Sequence, residues 1–550
     1  MGWWRGSLVV LLVLLAGVPL VAPVVELLRL PAGWNPYTEA DRLGELAGNS
    51  LLLMVGTVLV ALPLGVAGGA LLFRTDLPGR RFWRFVLILI VFVPLPLTTT
   101  AWQMAIGPQG WLPLAGGAAQ PGQAWSQGLL PAVWGHAMLA LPWVVLLAGL
   151  GLTWVEPELE EDALLAAPAW RVFWAVTLPR AKPAILLAGL WAALLALNEI
   201  TVTDIMKVRT YSEEVYTQFN SGGPAEAARA VAVALPAVGL AVAVTVLVVN
   251  RWRRDLPPRL VLVRPPRLFR LGRLRWPCFA LVAAAGVVLV GVPLSALVWK
   301  AGLRYATAAA PGPPTWDAGL LAERWLDALA GQRRLLLNSL LMGLLSGSAT
   351  GLLGLLVCWL ARDSRHFERF VWGLAAALWA VPGPVLGVGL LAAMQGLFAL
   401  PGGEVFKAVL WDRPSPLPNV WVWTLRFLPV ALAMLWPIVR LIPRELDEAA
   451  RVDGLGPGRR FARVILPLAA LPLAWTVLGV AVLTLGELSA SKLIWSPGFT
   501  PFAHHVFMQM HASADTELAA LCLVLLVLVA IGAAAVARLA PALRRRLGRW

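Results

Sequence analysis

The chain has 550 residues, of which 59% are hydrophobic and 14% charged, with a net charge of +15. Soluble domains are about half apolar and about a quarter charged, so most of this chain belongs in lipid and no large soluble catalytic domain fits. Its basic residues fall mainly between long uncharged runs, where they set membrane orientation, which argues against nucleic acid as a partner.

In chain order, runs long enough to cross a bilayer cover 8–28, 52–73, 85–106, 129–155, 184–206, 230–250, 277–299, 335–361, 371–403, 419–441, 464–486 and 518–537. A crossing needs about 20 apolar residues, so the sequence predicts an all-α integral membrane protein of about 12 transmembrane helices. The first run follows a single arginine and offers no small-x-small cleavage site before Glu26, so it reads as a retained helix. Cys278, Cys358 and Cys522 lie in apolar runs at no metal-ligand or redox spacing, as small core hydrophobes do. Arg426 is expected near an outer helix end, where it can snorkel.

The bias of basic residues places both termini in the cytoplasm. The inner side then holds Arg74, Arg80, Arg81 and Arg84; Arg171, Arg180 and Lys182; Arg362, Arg365 and Arg369; and the run from Arg544 to Arg546. Residues 251–276 carry nine arginines and four prolines, which forbid one continuous helix and favour an anionic inner-leaflet surface. They read as a basic cytoplasmic linker between a half at 1–250 and a half at 277–550.

An internal repeat supports that division. Asn49-Ser50 matches Asn338-Ser339, the segment ending at Pro179 matches the one ending at Pro467, Glu199 matches Glu487, and residues 215–219 match 506–510. The offsets run from 288 to 291 residues. Two homologous six-helix halves follow, related by a pseudo-two-fold along the membrane normal, because six crossings return each half to the same side.

Within the repeat stands Glu448-Ala449-Ala450, three residues, Gly454, nine residues, then Val464-Ile465-Leu466-Pro467. This resembles the EAA loop of ABC importer permeases, which forms a short cytoplasmic coupling helix that docks on the ATPase subunit. The earlier copy keeps the frame with different letters: Glu160, Glu161 and Asp162 at the EAA positions, Ala166 for the glycine, and Val176-Thr177-Leu178-Pro179 at the close. In both copies acids precede bases, which suits a helix dipole, and in the second copy a glycine permits the turn that follows.

No GxxxxGK[ST] loop is present, so ATP hydrolysis is expected on a separate subunit. The chain reads as a transport subunit and not an enzyme, with no cofactor and no metal site. The resemblance implies two copies of a cytoplasmic ABC ATPase, one per coupling loop, and an extracytoplasmic solute-binding protein. It also implies a bacterial inner membrane and alternating access driven by the ATPase.

Glu199 and Glu487 fall late in the spans that follow the two coupling loops, toward the outer half of the membrane. Charges at that depth face a cavity or a partner. With Thr201 and Ser489 beside them they either line the solute pathway or gate, or hold the halves together by hydrogen bonds. Asp204 and Lys492, opposite in sign, either meet across the pseudo-two-fold or stand as independent solvated ends. His504, His505 and His511 cluster without a carboxylate or cysteine at ligand spacing.

The stretch from Gly486 to Met510 resembles the carboxy-terminal half of iron(III)-type permeases, which implies iron(III) or another small ion or molecule as the solute. An alternative reading is an ion-gradient-driven secondary transporter with Glu199 and Glu487 as coupling carboxylates.

Overall fold

The computed structural model describes residues 2–30, 33–34, 40–91, 93, 95–106, 127–220, 223–255, 266–305, 314–494, 498–511 and 515–547. Residues 256–265 of the expected linker therefore lie outside the described residues. Among the described residues the secondary structure is helical except for one short antiparallel pair, Leu303–Arg304 with Thr315–Trp316, and an isolated bridge between Thr75 and Phe269.

Among the described residues eight helices are long and apolar enough to cross a membrane, and ten if each of two bent pairs is one crossing. Twelve were expected, and prolines account for much of the difference. Residues 371–403 bend by 110° between Arg365–Ala380 and Gly383–Phe398. The break is Val381-Pro382-Gly383-Pro384, where Val381, ahead of a proline, is extended at φ −72° and ψ 126°. Residues 85–106 form two shorter helices, Arg80–Val91 and Leu95–Ile106. Residues 464–486 contain an 80° bend between Pro457–Leu468 and Ala470–Leu485. The last expected crossing falls within Asp515–Leu547.

Proline also explains a repeated irregularity. Helices widen to π turns at Val13–Gly17, Phe173–Thr177, Val287–Gly291 and Phe461–Ile465. Each turn is followed by one residue and then a proline: Pro19, Pro179, Pro293 and Pro467. A proline inside a helix cannot donate to the carbonyl four residues back, and its ring crowds that carbonyl; one wider turn relieves both.

The long helices pack in two sets of three. Ala40–Arg74, Leu129–Thr153 and Leu178–Asn198 touch one another, as do Arg333–Ala361, Leu417–Leu441 and Ala470–Leu485. Between lipid-embedded helices close approach through small residues supplies the attraction: a Cβ on Gly69 would lie 2.8 Å from the Gly149 nitrogen, and one on Gly343 2.8 Å from the Ala481 carbonyl. The sets are tied by exchange. Val18–Arg29 packs on Gly383–Phe398, while Val292–Gly302 packs on Leu95–Ile106. Trp421 of Leu417–Leu441 also reaches the first π turn, donating to the Leu15 carbonyl at 3.0 Å.

Candidate functional site

Two short helices stand where the coupling loops were expected: Pro157–Ala166 and Arg444–Val452. Proline near each start fixes a helical φ, and acids in the first turn, Glu158 and Glu160 or Glu445 and Asp447, favour the positive helix end. The fourth residue of each helix is buried. Glu160 is bound by the Arg74 guanidinium and accepts the Thr177 hydroxyl at 2.6 Å. Asp447 faces Arg460 at 3.5 Å and Arg362 at 3.7 Å.

Arg74 and Arg362 each follow through to a second anchor. Arg74 donates to the Leu152 carbonyl at 2.5 Å, and Arg362 to the Ile442 carbonyl at 3.2 Å. Each arginine thus ties the end of one long helix to the end of another and to the short helix beyond. Sequence reading placed both among the inner-face charges and missed this role. The available signal was their 288-residue spacing within Arg74-Thr75-Asp76 and Arg362-Asp363-Ser364.

Burial also corrects a register. Glu160 shares its place with Asp447, so Glu161 corresponds to Glu448. Glu161, Asp162, Glu448 and Ala449 are exposed, whereas Ala450 is buried. The earlier copy is one residue shorter, and the two helices end differently. After Arg444–Val452, Gly454 takes φ +78°, its N–H reaches the Arg451 carbonyl and the Leu455 N–H reaches the Ala450 carbonyl, a glycine-closed Schellman turn. After Pro157–Ala166, Ala167 is extended at φ −147° and Pro168 stops the helix, so Ala166 needs no left-handed backbone. Leu178-Pro179 and Leu466-Pro467 follow the π turns on the far side.

Away from these helices, a cavity of about 120 Å³ is lined by Glu199 and Glu487 together with Asn198, Ser489, Arg426 and the indoles of Trp143, Trp191 and Trp379. Both carboxylates close the turns that contain them. Glu199 accepts the N–H groups of Thr201 at 2.7 Å and Val202 at 2.8 Å. Glu487 accepts those of Ala490 at 2.7 Å and Ser491 at 3.1 Å. Trp423 adds its indole N–H to Glu487 at 3.0 Å, and in the corresponding place His136 stands 3.7 Å from Glu199. Ser489 bridges the two turns, donating to the Asn198 carbonyl at 3.1 Å.

Arg426 corrects another expectation. It lies nine residues inside Leu417–Leu441, lines the cavity and donates to the Val381 carbonyl at 3.1 Å instead of reaching for an interface. Lys492 places its ammonium 3.3 Å from the Phe507 ring centroid and 4.7 Å from that of Tyr216. Burial lowers its pKa to about 8, and the charge of Asp204 opposes that shift. His504 meets the Ser491 hydroxyl at 3.2 Å, and burial, then the Lys492 charge, push it down to about 3. His505 borders a second cavity with Arg324, Asp327 and Glu517. Among the described residues no group of three His, Cys, Asp or Glu is placed to hold a metal. The His511 side chain lies outside the description.

Residues 350–545 match the family described as binding-protein-dependent transport system inner membrane component. That match supports a transport permease of the ABC-importer type. The molybdenum transport system permease protein ModB of Escherichia coli K12 is 29% identical over 205 residues, 36% of this chain and 86% of the relative. ModB of Haemophilus influenzae is 32% identical over 150 residues, 26% of this chain and 61% of the relative. A putative ABC transporter permease protein of Streptomyces antibioticus, ORF1, is 32% identical over 145 residues, 26% of this chain and 57% of the relative. The relatives are permease subunits, transport components and not enzymes, and together with the apolar helices they support a multi-pass inner membrane protein. Permeases of this type work with ATPase and binding-protein partners.

Proposed function

We propose that the permease is a fused tandem: homologous six-helix halves at 1–250 and 277–550, joined by 251–276, enclosing one translocation pathway. Two ATPase copies dock at Pro157–Ala166 and Arg444–Val452, and a binding protein delivers solute from the opposite face. The observation that carries this reading is the paired clamp, Arg74 on Glu160 and Arg362 on Asp447. A helix fixed by a buried arginine to two long helices transmits force to both, whereas a loosely held loop would absorb it.

Geometry supports docking on one face. Leu178–Asn198 and Ala470–Leu485 each start beyond a coupling helix, and their far ends meet where Ser489 bonds to Asn198. Within one bilayer, two crossings that meet at their far ends start from the same side. ATP binding would draw the coupling helices together, rock the halves and open the cavity outward; hydrolysis would reset it. Residues Leu178, Pro179, Leu466 and Pro467 join coupling helix to crossing, while Glu199, Thr201, Asp204, Glu487, Ser489 and Lys492 form the gate.

For the solute, a small anion is favoured by the relatives named for molybdenum transport and by one arginine, Arg426, that faces the cavity. Among the described lining residues Arg426 is the cation, and both carboxylates are already occupied by backbone N–H groups. The relatives named for molybdenum transport agree with an oxyanion. The iron(III) reading rests on the resemblance of 486–510 and of the fused, two-loop arrangement to iron(III)-type permeases.

The test is uptake into vesicles carrying the permease and its ATPase, with the binding protein outside. ATP-dependent accumulation of a molybdenum oxyanion, not competed by iron(III), is the expected result. Uptake that persists without nucleotide and collapses with an uncoupler would instead establish the secondary carrier.

A further inference from the structure

The two coupling helices are clamped with different materials. Beside Arg362, Trp359 packs against Phe461 with ring centroids 5.5 Å apart and carries Arg460 over its face at 5.9 Å. The positions 288 residues earlier hold Leu71 in place of Trp359 and Val172 in place of Arg460. The amino-terminal clamp therefore lacks an aromatic plate and a second arginine of its own.

The chain following the linker supplies the plate. Phe269 packs edge-on against Phe173, the counterpart of Phe461, at 5.9 Å, and lies under the Arg74 guanidinium at 5.5 Å. Backbone bonds hold it there. The Phe269 N–H donates to the Arg74 carbonyl at 2.7 Å, and the Asp76 N–H to the Phe269 carbonyl at 3.3 Å. The Asp76 carboxylate then accepts the Leu271 N–H at 2.9 Å. Arg267 stands 3.8 Å from Glu161 on the exposed side of the coupling helix.

We propose that residues 266–271 are a working part of the first coupling site: Phe269 is a positioning residue that holds the Arg74–Glu160 clamp, and Arg267 extends the ATPase-facing surface. The covalent connection between the halves doubles as a strap on one coupling helix. This rests on the reading of Pro157–Ala166 as an ATPase-docking helix. The carboxy-terminal copy needs no strap, because Trp359 and Arg460 come from its own helices. The half-buried plate carries the effect; an exposed pair such as Arg267 with Glu161 contributes little alone.

The experiment uses the full permease–ATPase–binding-protein complex and reads ATPase association, ATP hydrolysis and solute taken up per ATP. Phe269→Ala should lower uptake per ATP by about 5-fold, a typical coupling magnitude. Phe269→Trp should keep it, and Leu71→Trp added to Phe269→Ala should restore it by transplanting the other clamp's plate. If Phe269→Ala fails to assemble, Phe269→Leu, which keeps bulk and loses the ring, takes its place. Unchanged uptake per ATP in the ring-lacking variant, or a loss that neither tryptophan repairs, overturns the proposal. Failure of the wild-type chain to bind its ATPase would sink the permease reading itself.

Discussion

Arg74 and Glu160 form an ion pair from which water is excluded on both sides, each side chain having 0% exposure. Such a pair gives modest net stability, yet removing one partner strands a buried charge at about 3–5 kcal/mol. Arg74→Ala should therefore sharply lower the unfolding temperature in detergent. Arg362→Ala should cost less, because Asp447 keeps Arg460 at 3.5 Å. Equal losses in the two variants would show that the clamps are not built as described.

Gly454 sits at φ +78° with open space where a Cβ would point. Alanine there meets no clash, so its cost is the left-handed backbone alone, about 1–2 kcal/mol. Gly454→Ala should loosen the end of Arg444–Val452 and reduce uptake per ATP, while Gly454→Asn, which tolerates that backbone, should be milder. Ala166→Gly should gain nothing, since Pro168 already ends that helix. A gain of coupling in Ala166→Gly would contradict the two-terminator account.

Much of this was legible in the sequence because repetition makes weak signals strong. Glu199 and Glu487 drew attention as charges at the same late position of two apolar runs, and both prove to line one cavity. The clamp arginines were hidden because a basic residue at the end of an apolar run already had a sufficient reason to be there. The register of Glu160 was misplaced by one because matching was anchored at Pro179, beyond the missing residue; only burial reveals which acid turns inward. Pro94-Leu95-Pro96 and Pro382-Gly383-Pro384, 288 apart, marked the broken crossings, but hydropathy averages over such breaks. Phe269 was out of reach, since it lies in the linker, outside the segments that the repeat pairs.

Arg426 supplies the test of solute charge. A charge-assisted hydrogen bond is worth about 1.5–3 kcal/mol, or about 10–100-fold in apparent affinity. Arg426→Gln should raise the solute KM of ATP-driven uptake by that order if an anion passes the cavity, and Arg426→Lys should recover part of it. Should the solute be cationic, removing Arg426 would leave KM unchanged or lower it. Thermal unfolding measured alongside separates a pathway effect from loss of the Val381 contact.

Lys492 gives a pH signature. Burial lowers its folded pKa to about 8 from an ordinary 10.5, with Asp204 pulling the other way. Below about 8 the folded state carries the full penalty of a poorly solvated ammonium. Between 8 and 10.5 the unfolded chain binds the extra proton, so stability rises with pH, and above 10.5 the penalty is gone. Relative to Lys492→Met, the wild-type permease should therefore gain unfolding temperature as pH climbs through that window. Asp204→Asn should widen the gain, because removing the one favourable charge depresses the folded pKa further. A wild-type and Lys492→Met pair whose unfolding temperatures run parallel from pH 7 to 10 would mean that Lys492 is solvated and does not pack against Tyr216 and Phe507 as described.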